Sequence, residues 1–241
     1  MTTAEAIRVS PEWLDLRESA DAAARSQELV SHLRARLPAG RLVIHDLGSG
    51  SGAMGRWLAP LLPGPQQWVL HDRDPDLQRL AEANPPGPAA DGSAVTVETR
   101  LCDVTRLGRD DLADAALITA SALLDLLTGD ELAGLVTVCA GAGCPVLLTL
   151  SVTGRVQLLP ADPLDSRVAA SFDAHQRRAT RHRRLLGPDA VEAAAAGFRR
   201  LGAEVIVGPS PWRLARRQPP RPARRNAKAT PRAAARSSEI C

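Results

Sequence analysis

The chain has 241 residues, 44% of them hydrophobic, which is enough for one α/β domain with a buried core. Aromatic residues make up only 2% and tyrosine is absent, which argues against a surface that stacks single-stranded nucleic acid. The net charge of +3 is unevenly distributed, because residues 213–241 carry nine Arg or Lys and one acid, leaving 21 basic and 26 acidic residues in 1–212. We therefore expect a mildly acidic folded part and no nucleic-acid partner.

Cysteine usage and hydropathy indicate the compartment. The four cysteines form no CxxC pair, which is typical of reduced thiols, and no metal-ligand spacing accompanies them. No apolar run approaches the length of a membrane span, and the N-terminus lacks the apolar region of a signal peptide. These features predict a cytoplasmic protein without a membrane partner or a metal.

The first 40 residues are predicted to be helical and to form a separate cover. Residues 11–37 carry an apolar stripe, with Ser10 as N-cap and Pro11 in the first turn. A break near 18–21 would divide them into two helices.

The stretch 42–52 contains the strongest local signal, a buried strand followed by a glycine-rich turn. We predict that the strand covers 42–44, that Asp46 lies at its carboxyl end, and that a helix begins at Ala53. Glycines in such a turn let the backbone come close to a ligand. A carboxylate at the strand end favours a ligand with an ammonium group and repels a pyrophosphate.

The same turn also matches the dinucleotide-binding pattern, as Gly50-x-Gly52-x-x-Gly55. That alignment would place His45 and Asp46 inside the buried strand, where an unpaired carboxylate is costly. On this ground we prefer the ammonium-binding interpretation.

Further apolar runs alternate with helical patterns and predict a Rossmann-like, mostly parallel sheet. The predicted strands two to six cover 67–72, 94–101, 114–121, 145–152 and 203–208. Asp72 ends the second strand, 22 residues after Gly50, where a carboxylate can accept hydrogen bonds from ribose hydroxyls.

The pattern Asp46-x-Gly48-x-Gly50-x-Gly52 resembles the first motif of class I S-adenosylmethionine (SAM)-dependent methyltransferases. The segment 114–127 is similar to the fourth-strand region of an uncharacterised actinobacterial group of small methyltransferases. The resemblance covers about residues 11–212. It implies the class I methyltransferase fold, SAM as cofactor, and methyl transfer to a small-molecule acceptor.

The resemblance also implies a set of cofactor contacts. The turn would lie against the methionine portion, and Asp46 would hold its ammonium group. The second strand end would bind ribose, the third adenine, and the fourth would line the methyl-transfer channel. The predicted cofactor-binding residues are Asp46, Gly48, Ser49, Gly50, Asp72, Arg73, Asp103, Val104, Ala120 and Ser121. For Asp103, a helix N-cap is an equally open interpretation.

Two residues are predicted to be catalytic. Asp125 follows the fourth strand and could act as a general base with a raised pKa, although a surface carboxylate is the alternative. Residues 153–187 interrupt the alternation and are predicted to form a helical lid over the cleft. Within it, His175 is a candidate acid, base or substrate contact, or else a surface histidine. In the N-terminal cover, Arg17, Asp21 and Arg25 could face the cofactor or form a solvated surface.

The C-terminal part departs from the family pattern. The core would end with 188–212, and we expect a seventh strand to be absent or vestigial. Residues 213–241 are rich in Arg, Pro, Ala and Ser and are predicted to be a basic disordered tail. Two other functions stay open: an NAD(P)-binding oxidoreductase, although no Tyr-x-x-x-Lys pair exists, and a non-catalytic protein of the same fold.

Overall fold

The computed structural model describes residues 9–180, 183–215 and 239–240. The helices are α1 (Pro11–Ala24), α2 (Gln27–Arg34), α3 (Ala53–Leu58), α4 (Pro75–Ala83), α5 (Gly129–Gly141), α6 (Asp165–Gln176) and α7 (Ala190–Arg200). The strands of the main sheet are β1 (Leu42–Leu47), β2 (Gln66–Asp72), β3 (Val95–Leu101), β4 (Leu117–Ser121) and β5 (Val146–Thr149). No helix in this described part of the chain is long and apolar enough to cross a membrane.

The main sheet is parallel throughout and has the order β3-β2-β1-β4-β5. The predicted α/β Rossmann-like fold is therefore confirmed. Strand order reverses between β1 and β4, and ligands of open α/β sheets bind outside the carboxyl ends of the strands at such a point. The register sets Asp46 of β1 beside Leu70 of β2 and Thr119 of β4.

Each face of the sheet is covered by its own apolar cluster. On one face, Ile44 and Trp68 pack with Met54 of α3 and Val30 of α2. On the other face the cluster contains Leu47, Ile118, Val136 and Phe198, from the sheet, α5 and α7. The central strand β4 is buried along nearly its whole length and is mostly apolar, whereas the edge strand β3 has exposed residues at Thr96, Glu98 and Leu101.

Helix starts follow the signals in the sequence. Ser10 Oγ accepts a hydrogen bond from the Trp13 N–H at the start of α1, as expected for an N-cap. Thr128 and Glu131 form a complete capping box at the start of α5. The break in the N-terminal helix is at Arg25 and Ser26 instead of 18–21, because the Ser26 side chain caps α2.

The predicted sixth strand is wrong. Residues 203–208 have no strand partner and run along the N-terminal helices, where Glu204 pairs with Arg36 at 3.0 Å and Gly208 lies against Leu29. Strand formation requires an adjacent strand edge, which the apolar pattern of one segment cannot supply. The segment instead places Val205 against the apolar cluster beneath β5.

Short antiparallel pairs lie outside the main sheet. Ala179–Thr180 (β6) pairs with Arg183–Arg184 (β7), and Leu214–Ala215 (β8) pairs with Glu239–Ile240 (β9). Among the described residues, the strand-like structure beyond Trp212 is thus limited to this last pair, and none of it joins the five-stranded sheet. Most of the predicted disordered tail, 216–238, lies outside the described residues.

Candidate cofactor and acceptor cleft

A large cleft of about 3350 Å³ extends from the carboxyl edge of the sheet past β5 to α7 and residues 201–212. The glycine turn after β1, the ends of β2, β3 and β4, α1 and α6 all contribute to its lining. The predicted site residues that line it are Asp46, Gly48, Ser49, Gly50, Asp72, Arg73, Asp103, Val104, Ser121 and Asp125. The fold therefore brings together residues that are as much as 79 positions apart in the sequence.

Two predicted site residues lie elsewhere. Ala120 is buried in the apolar cluster under the sheet and is not part of the cleft lining. His175 is exposed near the end of α6 and also does not line the cleft. The α6 residues that line the cleft are Val168, Ala169, Phe172 and Gln176, so His175 lies outside the lining that the other candidates share.

The glycine turn is pinned to the neighbouring strand. The N–H groups of Gly48 and Ser49 donate to the His71 carbonyl at 2.8 and 3.0 Å, and the Gly50 N–H donates to Asp72 Oδ2 at 2.7 Å. Gly48 has a φ of 65°, and a Cβ there would come within 2.9 Å of Leu123. A side chain at position 48 would thus be strained and crowded, so the turn keeps its backbone bare toward the cleft.

Asp46 lies inside β1, and the prediction that the strand ends at residue 44 is wrong. Its side chain is 1% exposed, and burial raises its pKa to about 7, with the Thr119 hydrogen bond and nearby Arg25 opposing the shift. Thr119 Oγ1 donates to Asp46 Oδ1 at 2.7 Å, whereas Oδ2 has no hydrogen-bond partner among the described residues. The cost of burial is reduced by partial protonation, so strand position alone does not separate the two cofactor classes.

Arg25 is a second buried charge at the same end of the sheet. It is 3% exposed and its guanidinium lies over the Trp57 ring, 5.1 Å from the ring centroid. Nη2 donates to Ser121 Oγ at 3.1 Å, but Nε and Nη1 have no partner among the described residues. Burial lowers the pKa of Arg25, while Asp21 and Asp46 oppose the shift.

From the sequence, Arg25 is either a residue that faces the cofactor or a solvated surface residue. The feature of the sequence that marks its position is Ser26, which caps α2, so that Arg25 lies at the junction between two helices.

Unsatisfied polar atoms converge around the start of the glycine turn. Arg25 Nε and Nη1, Asp46 Oδ2 and Ser49 Oγ are all buried and unpartnered among the described residues, and all three residues line the cleft. Arg25 and Asp46 influence each other electrostatically but form no direct ion pair. Buried polar groups in folded proteins are nearly always hydrogen-bonded. A guanidinium and a carboxylate that line one cleft and keep unsatisfied polar atoms can together bind a ligand that carries both a carboxylate and an ammonium group.

Two further acidic candidates lie at the ends of β2 and β3. Asp72 is mostly buried and accepts from two backbone N–H groups, those of Gly50 at 2.7 Å and Asp74 at 2.9 Å. Asp103 Oδ1 accepts from the Thr105 N–H and hydroxyl, so Asp103 caps a short 3₁₀ helix as the alternative interpretation proposed. Burial opposes a lower Asp103 pKa, but these hydrogen bonds and two nearby arginines outweigh it. Both carboxylates keep lone pairs that can accept from a ligand.

Asp125 belongs to the short 3₁₀ turn that follows β4. Its side chain is 8% exposed, Oδ1 has no partner among the described residues, and burial raises its pKa. The positive charges of Arg17 and Arg178 oppose this rise. Asp125 is thus a buried cleft carboxyl group with a pKa raised above its ordinary value, which makes it a stronger base than a solvated aspartate.

A buried polar chain, unforeseen from the sequence, lies on the opposite face of β1. His45 Nδ1 is 2.9 Å from His71 Nε2, and the other His45 nitrogen is 2.9 Å from Asp114 Oδ1. His71 Nδ1 in turn contacts the Cys102 sulfur at 3.4 Å. Burial lowers the pKa of both histidines, that of His71 to about 4, so the pair is neutral at pH 7. Each ring nitrogen has a partner, which marks this chain as a satisfied structural network supporting the turn.

Neither a protein-family model nor a curated protein sequence matches the chain. Solved structures that resemble it include magnesium protoporphyrin IX methyltransferase (ChlM) from Synechocystis, with bound S-adenosylhomocysteine (SAH), at 15% identity and a TM-score of 0.45, over 97% of this chain and 86% of that one. DesVI from Streptomyces venezuelae resembles it at 19% identity and a TM-score of 0.39, over 61% of each chain.

A third similar structure is that of a Listeria monocytogenes protein assigned to the SAM-dependent methyltransferases. It has 16% identity and a TM-score of 0.31, over 44% of this chain. The match spans 46% of the Listeria protein and 61% of DesVI, less than two thirds of either. These similarities recur among methyltransferases, but at such scores they establish neither an activity nor an acceptor, and nothing in them supports the narrower likeness to an actinobacterial group.

Proposed function

We propose that this protein transfers a methyl group from SAM to a small-molecule acceptor. The observation that carries the proposal is that two buried cleft residues, Arg25 and Asp46, each keep polar atoms without a hydrogen-bond partner among the described residues. The methionine end of SAM is a zwitterion, with a carboxylate that a guanidinium can bind and an ammonium group that a carboxylate can bind. Its binding would satisfy both charges at once.

The rest of the cleft offers matching groups for the remainder of the cofactor. At Gly50, which lines the cleft, a Cβ would have only the Leu14 side chain within 4 Å, so the main chain of the turn is accessible to a ligand there. Asp72 has free lone pairs for ribose hydroxyls, and Asp103 is partly exposed in the cleft, where it can accept from the adenine amino group. When bound, SAM supplies an electrophilic methyl group on a sulfonium.

The protein's own contribution to the reaction would be positioning and proton uptake. Methyl transfer needs the nucleophile, the methyl carbon and the sulfur in line, which a shaped cleft can enforce. Asp125 lies next to the end of β4, and its unpartnered Oδ1 can accept the proton of a hydroxyl or amine acceptor.

A nicotinamide dinucleotide fits these charges less well. Its pyrophosphate could approach Arg25, but it has no ammonium group for Asp46, and it would place two negative charges near a carboxylate that is already buried. Like charges in a poorly solvated site repel strongly. The geometry therefore favours SAM over NAD(P).

Calorimetry tests this assignment directly. We expect saturable binding of SAH and of SAM, and no saturable binding of NADH. The exposed Arg79, which lies outside the cleft and pairs with Asp76, provides a matched control, and Arg79→Ala should bind SAH like the unmodified protein. Saturable NADH binding without SAH binding would overturn the proposal. Methyl transfer from labelled SAM to a metabolite panel then separates an enzyme from a binding protein of the same fold.

A further inference from the structure

The lid helix presents an unusual apolar surface to the cleft. No residue of α6 is buried, and Val168 and Phe172 are exposed while lining the cleft. Trp13 of α1 is likewise 47% exposed and lines the same cleft. Large apolar side chains around a cleft are the usual walls of a small-molecule site. These three side chains therefore give apolar surface to the cleft that the polar groups at the end of β4 also line.

One arginine in this region lacks the pairing of its neighbours. Arg177 binds Asp189 through two hydrogen bonds, at 2.7 and 2.8 Å, and Arg183 binds Glu131 at 2.7 Å. Arg178 is half-buried, lines the cleft and has no hydrogen-bond or ion-pair partner within the described ranges. Its backbone is held between α6 and the β6–β7 hairpin, since its N–H donates to His175 and its carbonyl accepts from Leu185.

Arg178 and Asp125, whose Oδ1 has no partner among the described residues, line the same cleft, and the positive charge of Arg178 opposes the rise of the Asp125 pKa. A guanidinium without a partner and a carboxylate oxygen without a partner among the described residues of one cleft indicate which polar groups a ligand there should carry. The guanidinium fork matches carboxylate, sulfate or phosphate oxygens, and the carboxylate matches a hydroxyl or amine.

We infer that the methyl acceptor, on the basis of the proposed methyl transfer, is a small aromatic or alicyclic acid that also bears a hydroxyl or amine. Its ring lies against Val168, Phe172 and Trp13, its anionic group binds Arg178, and its hydroxyl or amine is next to Asp125. On transfer, a bond forms between the acceptor oxygen or nitrogen and the methyl carbon. The electron pair of the broken carbon–sulfur bond stays on sulfur, and the acceptor proton passes to Asp125.

The inference can be tested with matched probes on the full chain loaded with SAH. Calorimetry compares 4-hydroxyphenylacetate with its methyl ester, and 4-aminobenzoate with its methyl ester. We expect each acid to bind at least about tenfold more tightly than its neutral ester, since a charge-assisted hydrogen bond supplies that difference. Arg178→Ala should reduce the ratio of acid to ester affinity to about one, and Arg178→Lys should retain part of it.

Arg184 provides a matched control, because it lies in the same hairpin, is exposed and does not line the cleft. Arg184→Ala should keep the acid preference. Equal binding of acids and esters, or absence of binding by every acid, would overturn the inference. SAH binding is measured first on the same samples, so failure of the proposed cofactor is detected separately. With SAM in place of SAH, Asp125→Asn should lower the methylation rate of any probe that reacts without weakening SAH binding.

Discussion

Thr119 Oγ1 donates a hydrogen bond of 2.7 Å to Asp46 Oδ1 across the β1–β4 pair, while the second Asp46 oxygen is buried without a partner in the described part of the chain. The half-satisfied carboxylate has a pKa of about 7, against an ordinary value of 3.8. Such a group costs stability when it ionises, and its retention at the mouth of a cleft is typical of a binding residue.

The first prediction concerns the free energy of unfolding of the ligand-free protein. Because the folded-state pKa of Asp46 lies above its unfolded-state value, ionisation carries no penalty below about pH 4. The penalty grows until about pH 7, where it reaches roughly 4 kcal/mol. Asp46→Asn should therefore raise the stability measured by urea denaturation at pH 8, and less so at pH 5. Asp110→Asn, at an exposed site, is the control. A loss of stability of Asp46→Asn at pH 8 would contradict this prediction.

A second prediction concerns protons released when SAH binds. If the ammonium group of the ligand requires ionised Asp46, affinity should fall about fivefold from pH 7 to pH 6 and level off above pH 8. At pH 6, close to one proton should be released per ligand, which calorimetry in buffers of different ionisation enthalpy measures. Asp46→Asn should abolish the release. Binding that is independent of pH across this range would show that Asp46 does not contact the ligand.

The role of Arg25 can be separated from fold effects with a truncated ligand. Arg25→Met should weaken SAH binding by about 10- to 100-fold, because a charge-assisted hydrogen bond to the carboxylate is lost. Methylthioadenosine lacks the amino-acid end, and its affinity should be unchanged. Arg25→Lys keeps the positive charge but lacks the planar guanidinium that can donate two parallel hydrogen bonds, and it should give an intermediate SAH affinity. An equal loss for both ligands would indicate a distorted cleft instead of lost recognition.

A fourth prediction concerns the free energy of unfolding in acid and follows from the buried His45–His71 pair. Burial lowers the pKa of His71 to about 4, from 6.5, so its contribution to stability is complete above pH 6.5 and is lost as the pH falls through 4. The loss amounts to roughly 3 kcal/mol. His71→Asn retains a donor and an acceptor for His45 and Cys102, and should flatten the decline of the urea midpoint between pH 7 and pH 4. An unchanged decline would assign acid sensitivity to other groups. Ionisation of Asp46 changes the stability in the opposite direction over part of this range, and it does so in both proteins. The contribution of His71 is therefore the difference between the unmodified protein and His71→Asn at each pH.

The order of helices and strands in the core could be predicted from the sequence, because helix caps, apolar strands and turn residues are features of short segments. The caps at Ser10 and Thr128 fix helix starts, and the apolar strands with the glycine turn predict a parallel sheet whose carboxyl edge gathers the acidic residues. The outer elements could not be predicted in this way. Residues 203–208 contain the β-branched run 205–207, yet strand pairing depends on which strand edge is within reach, and this segment lies against α2.

The site was predictable to the extent that strand ends determine it. Asp72 and Asp103 follow β2 and β3, so topology brings them to the cleft. Arg25 and Arg178 carry less signal, because an arginine in a charged stretch resembles a solvated one, and only tertiary packing removes its partners. The error at Asp46 has a related cause, since the sequence gives no indication that Thr119 of another strand will accompany it.

The outer side of β5 has a consequence for the protein in solution. Within the described ranges β5 pairs only with β4, so it is an edge strand. The peptide groups on its other edge form no hydrogen bonds to a neighbouring strand. At four residues it is too short to offer a long template, which limits recruitment of other chains. Lengthening this strand by substitution of Pro145 would extend the template, and the aggregation threshold on concentrating the protein would fall accordingly.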